Sequence, residues 1–169
     1  MPFTPYHFGA HACASLPFRH QLDVPVFIAA NVVIDLEPLL VLGLHLDYPV
    51  HGYAHTLLVG GAIGLGFGAL AYPFRDQIGA LMKFLRLPYR PSRRRMALSG
   101  MLGAWLHVLF DAPLYGDIRP FYPLQANPLY GAVSSQTVHT LCALLFVPAG
   151  LLYLYLAFFD RRKKGMHAA

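Results

Sequence analysis

Charged residues are scarce in this sequence. Lys, Arg, Asp and Glu make up 12% of its 169 residues, whereas a typical soluble domain has about 25%. Hydrophobic residues reach 56%, and the mean hydropathy is +0.47. This composition excludes an ordinary soluble domain and predicts an integral membrane protein. The length predicts a single domain over residues 1–169.

Cysteine is scarce as well. Cys13 and Cys142 are the only two, they lie in apolar stretches, and they form no CxxC pair. Their spacing argues against a disulfide framework, and we assign neither cysteine a function.

Basic residues are few but concentrated. Of the 13 Lys and Arg residues, seven lie between residues 75 and 95 and four form the run 161–164. Both clusters follow apolar runs, which is typical of the cytoplasmic flanks of membrane spans. We therefore expect contact with the lipid bilayer, including its anionic headgroups, and no binding of nucleic acid.

Four apolar runs approach the roughly 20 residues that a membrane span needs. They predict an all-α polytopic membrane protein with four main transmembrane helices, arranged as two hairpins. Residues 3–18 are apolar but too short to span, so they predict an N-terminal half-helix. The four runs are residues 22–45, 53–74, 97–115 and 138–159.

The basic clusters also predict the orientation of the spans. Segment 75–95 is expected to be a basic amphipathic stretch on the cytoplasmic surface, and 160–169 a basic cytoplasmic tail. Both termini are then cytoplasmic, and loops 46–52 and 116–137 lie outside. Several prolines in 112–131 predict an ordered loop there rather than a helix.

Acidic side chains inside the apolar runs are the main chemical signal. Asp35 and Glu37 lie in the first run, where an ionised carboxylate is costly unless something neutralises it. Pro38 disfavours helical geometry at Glu37, so a break there would turn both carboxylates inward. In the third run, His107 and Asp111 are spaced i, i+4 and share one face of a helix.

Histidines stand at the outer ends of the other two runs. His51 and His55 form an i, i+4 pair, and His139 begins the fourth run. Asp35 and Asp111 are each about 21 Å from the start of their run, in the outer half of the membrane, so these side chains can converge. Imidazole and carboxylate groups together predict one or two divalent metal ions, Zn²⁺ or alternatively Mn²⁺ or Fe²⁺.

A short internal repeat supports this convergence. Asn31-x-x-x-Asp35 and His107-x-x-x-Asp111 are each followed by Pro-Leu and later by His-Thr-Leu. Two hairpins related about the membrane normal would bring the matching polar positions together near a central axis.

Three functions fit these residues. In metal-dependent hydrolysis, of a phosphoester in a lipid or lipid-linked substrate, the metal activates water, and Glu37 or a histidine such as His55 is the general base. Arg119 in the outer loop is the candidate to hold an anionic substrate group. The alternatives are transport of a divalent cation or proton along the acids, and a structural metal that ties the hairpins together. Polar residues are missing deeper in the second and fourth runs, which favours the enzyme.

Four motifs cover most of the chain up to about residue 115. They are MPFTPYHFG at 1–9, NVVIDLEPL at 31–39, HGYAHTLLVGG at 51–61 and HVLFDAPLY at 107–115. At these motifs the chain resembles the bacterial inner-membrane metal-dependent hydrolases of the YdjM-like, LexA-binding group. The resemblance implies a protein of the bacterial inner membrane with a hydrolase activity.

The same resemblance implies a set of metal ligands. The chain departs from the commoner pattern at Asp35-x-Glu37, where Asp-x-Asp is usual, and at Gly52, where a basic residue is usual. The second departure weakens any inference about phosphate binding. The positions to which the resemblance assigns a metal role are His7, Asp35, Glu37, His51, His55, His107 and Asp111.

Overall fold

The computed structural model describes residues 5–159, and within that range the chain is all-helical. The all-α prediction is therefore confirmed. The predicted cytoplasmic tail 160–169 and the start of the first motif lie outside the described residues. The helices are α1 (Pro5–Ser15), α2 (Val24–Ile34), α3 (Leu36–Gly43), α4 (Leu57–Leu70), α5 (Arg75–Phe84), α6 (Arg93–Asp111), α7 (Ser135–Leu144) and α8 (Phe146–Phe158).

Proline divides two of the predicted runs into consecutive helices. α2 ends at Ile34, four residues before Pro38, and α7 ends at Leu144, four residues before Pro148. A proline ring has no N–H to donate to the carbonyl four residues earlier and clashes with it. The first break falls at Asp35, earlier than the sequence indicated, and the backbone there stays in the right-handed helical region with φ −69° and ψ −7°.

Within residues 5–159, two helical stretches, Val24–Gly43 and Ser135–Phe158, are long and apolar enough to cross a membrane. A third crossing is added if Leu57–Leu70 and Tyr72–Phe84, which are bent by 41°, form one broken span. α6 is not among them, because three arginines begin it and Asp111 ends it. The composition is therefore compatible with a membrane protein, while the count of four spans stays a prediction.

The outer surfaces of α3 and α8 are apolar. Large aliphatic and aromatic side chains there are exposed, as is usual where a helix faces lipid rather than water. This surface is compatible with a position in a membrane. The exposed side chains include Leu39, Leu40 and Leu42 on α3 and Leu151, Leu154 and Phe158 on α8.

α6 lies between α2 and α4 and forms the centre of the helical packing. It approaches α4 closely at glycine, because a Cβ atom built on Gly64 would lie 2.3 Å from the carbonyl oxygen of Gly100. α1 packs against α2, α7 and α8. α1 is 11 residues long, about 16 Å, so it is too short to span a membrane, as predicted for residues 3–18.

The segment that follows α6 is a folded loop, as its prolines predict. The side-chain amide of Asn127 donates hydrogen bonds to the carbonyl oxygens of Ala112 at 2.8 Å and Tyr115 at 3.2 Å. The backbone N–H of Leu57 donates to the carbonyl oxygen of Pro120 at 2.9 Å. This loop therefore lies against the start of α4, at the end of the molecule where α6 ends.

Candidate metal centre

Four side chains from three parts of the chain converge at this end. Asp35 lies between α2 and α3, His55 lies just before α4, and His107 and Asp111 lie near the end of α6. One ligand atom from each residue lies within 4.8 Å of all the others. Both histidines are completely buried, Asp111 is nearly so, and the side chain of Asp35 is 15% exposed. We call these four residues the metal centre.

The distances between the donor atoms match the size of a coordination sphere. The Nε2 atom of His107 lies 3.3 Å from Oδ1 of Asp35, 3.2 Å from Oδ2 of Asp111 and 3.3 Å from Nε2 of His55. The Nε2 atom of His55 lies 3.9 Å from Oδ1 of Asp35. Zinc bonds of roughly 2.0–2.1 Å place tetrahedral ligand atoms about 3.4 Å apart. The cluster could therefore hold a divalent metal ion, which would neutralise its two buried carboxylates.

Hydrogen bonds set the orientation of both imidazole rings. The Nδ1 atom of His107 contacts the side-chain oxygen of Asn31, and the Nδ1 atom of His55 lies 3.0 Å from Oε2 of Glu37. When Nδ1 donates to an oxygen, the lone pair lies on Nε2, which is the atom that each ring turns toward the centre. Both histidines are thus arranged as metal-binding histidines are.

Glu37 lies behind His55 rather than in the centre. Its carboxylate accepts hydrogen bonds from the backbone N–H groups of Gly52 at 2.9 Å and Ala54 at 3.1 Å, in addition to its contact with the His55 ring. These contacts engage both oxygens. In this geometry Glu37, which was predicted as a ligand and as the general base, instead orients the ring of His55. The Nε2 atom of His55 faces the other residues of the metal centre.

The structure places His7 beside the metal centre and His139 apart from it. The Nε2 atom of His7 lies 3.4 Å from Oδ1 of Asp111, and its Nδ1 lies 3.2 Å from Nδ1 of His107. His139 is half-buried on α7, and its Nδ1 lies 3.3 Å from the hydroxyl of Ser135. Of these two predicted ligands, His7 is therefore the one in contact with the centre.

His51 and Arg119 line a cavity of about 150 Å³ next to the metal centre. The ring of His51 lies against that of His55, with centroids 4.9 Å apart, and its Nδ1 lies 3.0 Å from Oδ1 of Asp117. Partial burial favours neutral Asp117, but hydrogen bonds from the backbone N–H and ring of His51 outweigh it and hold the pKa of Asp117 below its ordinary value. An ionised Asp117 therefore holds the ring of His51.

Two residues of the site were not singled out from the sequence. The sequence did contain a signal for Asn31, because Asn31 and His107 occupy matching positions of the internal repeat and their side chains are in contact. No sequence signal pointed to Asp117, because it lies in a loop 66 residues from His51. Only the fold brings the Asp117 loop over the start of α4.

Comparison of the chain with protein-family models, with curated proteins and with solved structures finds no match. The resemblance to the YdjM-like group therefore stays a prediction. Fold and site together define a class: an all-helical protein, compatible with a membrane, with a buried His/Asp cluster that could hold a metal ion. Any more particular function has to be inferred from the chemistry of that cluster.

Proposed function

We propose that this protein is a membrane-embedded, metal-dependent hydrolase that acts on a phosphoester of a lipid or lipid-linked substrate. The observation that carries the proposal is the convergence of two imidazole nitrogens and two carboxylate oxygens beside a cavity lined by His51 and Arg119. When bound, a divalent cation would supply Lewis acidity toward water and phosphoester oxygens. The lipid character of the substrate is inferred from the apolar surface around the site.

The donor set supports one cation better than two. Asp35, His55, His107 and Asp111 together offer four ligand atoms. The Nε2 atom of His7 lies 3.4 Å from Oδ1 of Asp111, so a second cation there would have to share the carboxylates of the centre with the first, whereas catalytic sites usually have at least three protein ligands. We therefore assign a single cation to the centre, and hydrolysis requires that no more than three of the four donors bind it at once, which leaves a position for water.

The cavity supplies the groups that would handle the substrate. Because Nδ1 of His51 is bonded to Asp117, the lone pair of the ring lies on Nε2, and a histidine held in this way suits a general base or acid. Arg119 lines the same cavity, and its guanidinium matches the geometry of a phosphate group. The proton therefore moves through His51 in this proposal, while Glu37 orients a metal ligand.

Transport is the second candidate, because buried polar side chains continue away from the metal centre. His11, Ser15, Ser99 and Asp23 are all buried along α1, α2 and α6. However, Nε2 of His11 faces the carbonyl oxygen of Gly103 at 3.1 Å, and the hydroxyl of Ser15 donates to the carbonyl oxygen of His11 at 2.7 Å. These bonds run to the backbone rather than from side chain to side chain, which favours a packing role over a proton path.

Metal content is the first test. Detergent-purified protein prepared without chelator and loaded with Zn²⁺ or Mn²⁺ is analysed by mass spectrometry, for the wild type, Asp35→Asn and His107→Ala. Asp47→Asn is the matched control, because Asp47 is exposed in the loop after α3. We expect one metal per chain in the wild type and the control, and loss of the metal from both variants of the centre.

Hydrolysis is then measured with bis(4-nitrophenyl) phosphate and with phosphatidic acid in detergent. Turnover that requires the metal and disappears in His107→Ala supports the hydrolase. A wild type without metal would rule it out. Tight metal binding without turnover of either probe, and a four-coordinate visible spectrum of the Co²⁺ form, would identify a structural metal site, because a catalytic site keeps an open position.

A further inference from the structure

We propose that the end of the molecule opposite the metal centre binds one anionic phospholipid. The headgroup phosphate lies in a pocket of arginines, and an acyl chain lies in an apolar groove that adjoins it. This site is independent of the proposed hydrolase activity.

The polar part is a cavity of about 240 Å³, which we call the arginine pocket. Arg19 reaches it from the segment between α1 and α2, Arg90 from the segment before α6, and Arg95 from the first turn of α6. One guanidinium nitrogen of Arg95 donates to the backbone oxygen of His20 at 3.2 Å, which holds it at the pocket. Three guanidinium groups from separate segments make a site for a phosphate, since each can bind its oxygens bidentately.

The charge of the pocket is positive overall. Asp23 at the start of α2 interacts with Arg95, but its side chain is buried at 2% exposure. Arg90 is exposed, as are its neighbours Arg93 and Arg94. The positive charge therefore remains accessible to an anion from outside the protein.

The apolar part is a groove of about 680 Å³ between α1, α2, α5 and α8. It adjoins the arginine pocket because Leu16 and Leu87 line the groove, while Arg19 and Pro88 line the pocket. An apolar groove beside a basic pocket matches a phospholipid in apolar area and charge, whereas a free phosphate leaves the groove unused. The lining residues include Leu16, Val24, Ile28, Met82, Leu87 and Gly150.

The arginine pocket lies at a depth where it could meet the headgroup of a lipid in one leaflet of the membrane. Arg95 and His107 are twelve residues apart on α6, which is about 18 Å along the helix axis. That distance is more than half of the roughly 30 Å hydrocarbon core of a bilayer. A headgroup at the arginine pocket would thus lie near the membrane surface opposite the metal centre, where basic residues attract the anionic lipids of the cytoplasmic leaflet.

The headgroup is tested by native mass spectrometry of the delipidated full chain. The protein is titrated with phosphatidylglycerol and with phosphatidylcholine of the same acyl chains, and with inorganic phosphate alone. We compare Arg19→Gln/Arg90→Gln with Arg93→Gln/Arg94→Gln, which removes the same charge from exposed arginines that do not line the pocket. The pocket variant should lose roughly 30-fold in affinity for phosphatidylglycerol, and the control should stay within about threefold of the wild type.

The groove is tested by filling it. A Cβ atom at Gly150 meets nothing within 4 Å, so Gly150→Leu places a side chain in the groove without a backbone clash. Gly66 on α4 is equally open and does not line the groove, so Gly66→Leu is the matched control. Gly150→Leu should weaken phosphatidylglycerol binding about tenfold, since it displaces methylene groups of the acyl chain, and it should leave phosphate binding unchanged.

Three results would overturn the proposal. If both arginine double variants lose the same affinity for phosphatidylglycerol, the lipid is attracted to the basic surface in general. If the wild type binds the two lipids equally, the arginines do not distinguish the headgroups. Unchanged lipid binding in Gly150→Leu would reduce the site to an anion pocket. If circular dichroism shows that the double variant does not fold, Arg90→Gln alone decides, because the Arg90 side chain is exposed.

Discussion

His55 and His107 each have an oxygen behind the ring, on the side away from the metal centre. Glu37 holds Nδ1 of His55, and Asn31 holds Nδ1 of His107. The two oxygens differ in charge, because a carboxylate raises the basicity of an imidazole more than an amide does. The two rings are therefore oriented in the same way, but His55 is expected to be the stronger metal ligand.

The role of Glu37 leads to the first prediction. Glu37→Gln keeps the shape and one acceptor oxygen but removes the charge, so metal affinity should fall about 10–100-fold. Competition with a chromophoric chelator measures this, with exposed Asp47→Asn as the control. Complete loss of the metal would instead show that Glu37 is itself a ligand, as the Asp-x-Glu motif suggested.

His51 and Asp117 lead to the second prediction. In Asp117→Asn the ring of His51 loses its ionised partner, so turnover of bis(4-nitrophenyl) phosphate should fall about 100-fold, within the range for general acid–base catalysis. The metal content should not change, because neither residue belongs to the metal centre. Loss of metal in this variant would place His51 among the ligands.

At the scale of the helix, the contact between α4 and α6 positions the metal centre. α4 follows directly after His55, and α6 carries His107, so the spacing of these two helices sets the distance between the two rings. Glycine permits this spacing, because the backbones of Gly64 and Gly100 approach each other too closely for a Cβ atom. Small residues serve helix packing in the same way in membranes, where lipid offers no hydrophobic drive for association.

This contact can be tested with one methyl group. Gly64→Ala should lower the free energy of unfolding by about 1–3 kcal/mol, since the helices must move apart, and the metal should bind less tightly. Thermal unfolding in detergent measures the change. Gly66→Ala on the same helix is the control, because a Cβ atom there meets nothing within 4 Å. Equal stability of the two variants would show that α4 and α6 are not in close contact.

Across the molecule as a whole, the predicted number of membrane crossings depends on one bent pair of helices. The bend of 41° between Leu57–Leu70 and Tyr72–Phe84 is compatible with a broken span or with a re-entrant loop. The basic residues of segment 75–95 favour a span that ends on the cytoplasmic side.

Cysteine accessibility decides between these topologies. In a chain whose two native cysteines are replaced by serine, Asp47→Cys should react with a membrane-impermeant maleimide in intact cells. Lys83→Cys, at an exposed position of α5, should react only after the membrane is permeabilised. Reaction of both from the same side would mean that α4 and α5 re-enter rather than cross.

The sequence alone was enough to predict the helical class, a helix break near Pro38 and the four residues of the metal centre. Backbone groups in an apolar setting must bond within their own segment, so long apolar runs become helices. Pro38 ends the helix before it by local sterics. The break before Pro148 was not predicted, because the apolar pattern of 138–159 indicated a single span. The i, i+4 spacing of His107 and Asp111 places both on one face before any tertiary contact exists.

Which polar residues meet depends on the packing of the helices. His55 and His139 occupy matching places in the repeat, yet His55 joins the metal centre and His139 does not, because α4 packs against α6 while α7 packs against α1. Likewise, Asp117 reaches His51 and three separated arginines share one pocket. Such contacts depend on how helices that are distant in the sequence pack together, and the spacing of residues within one segment does not specify that packing.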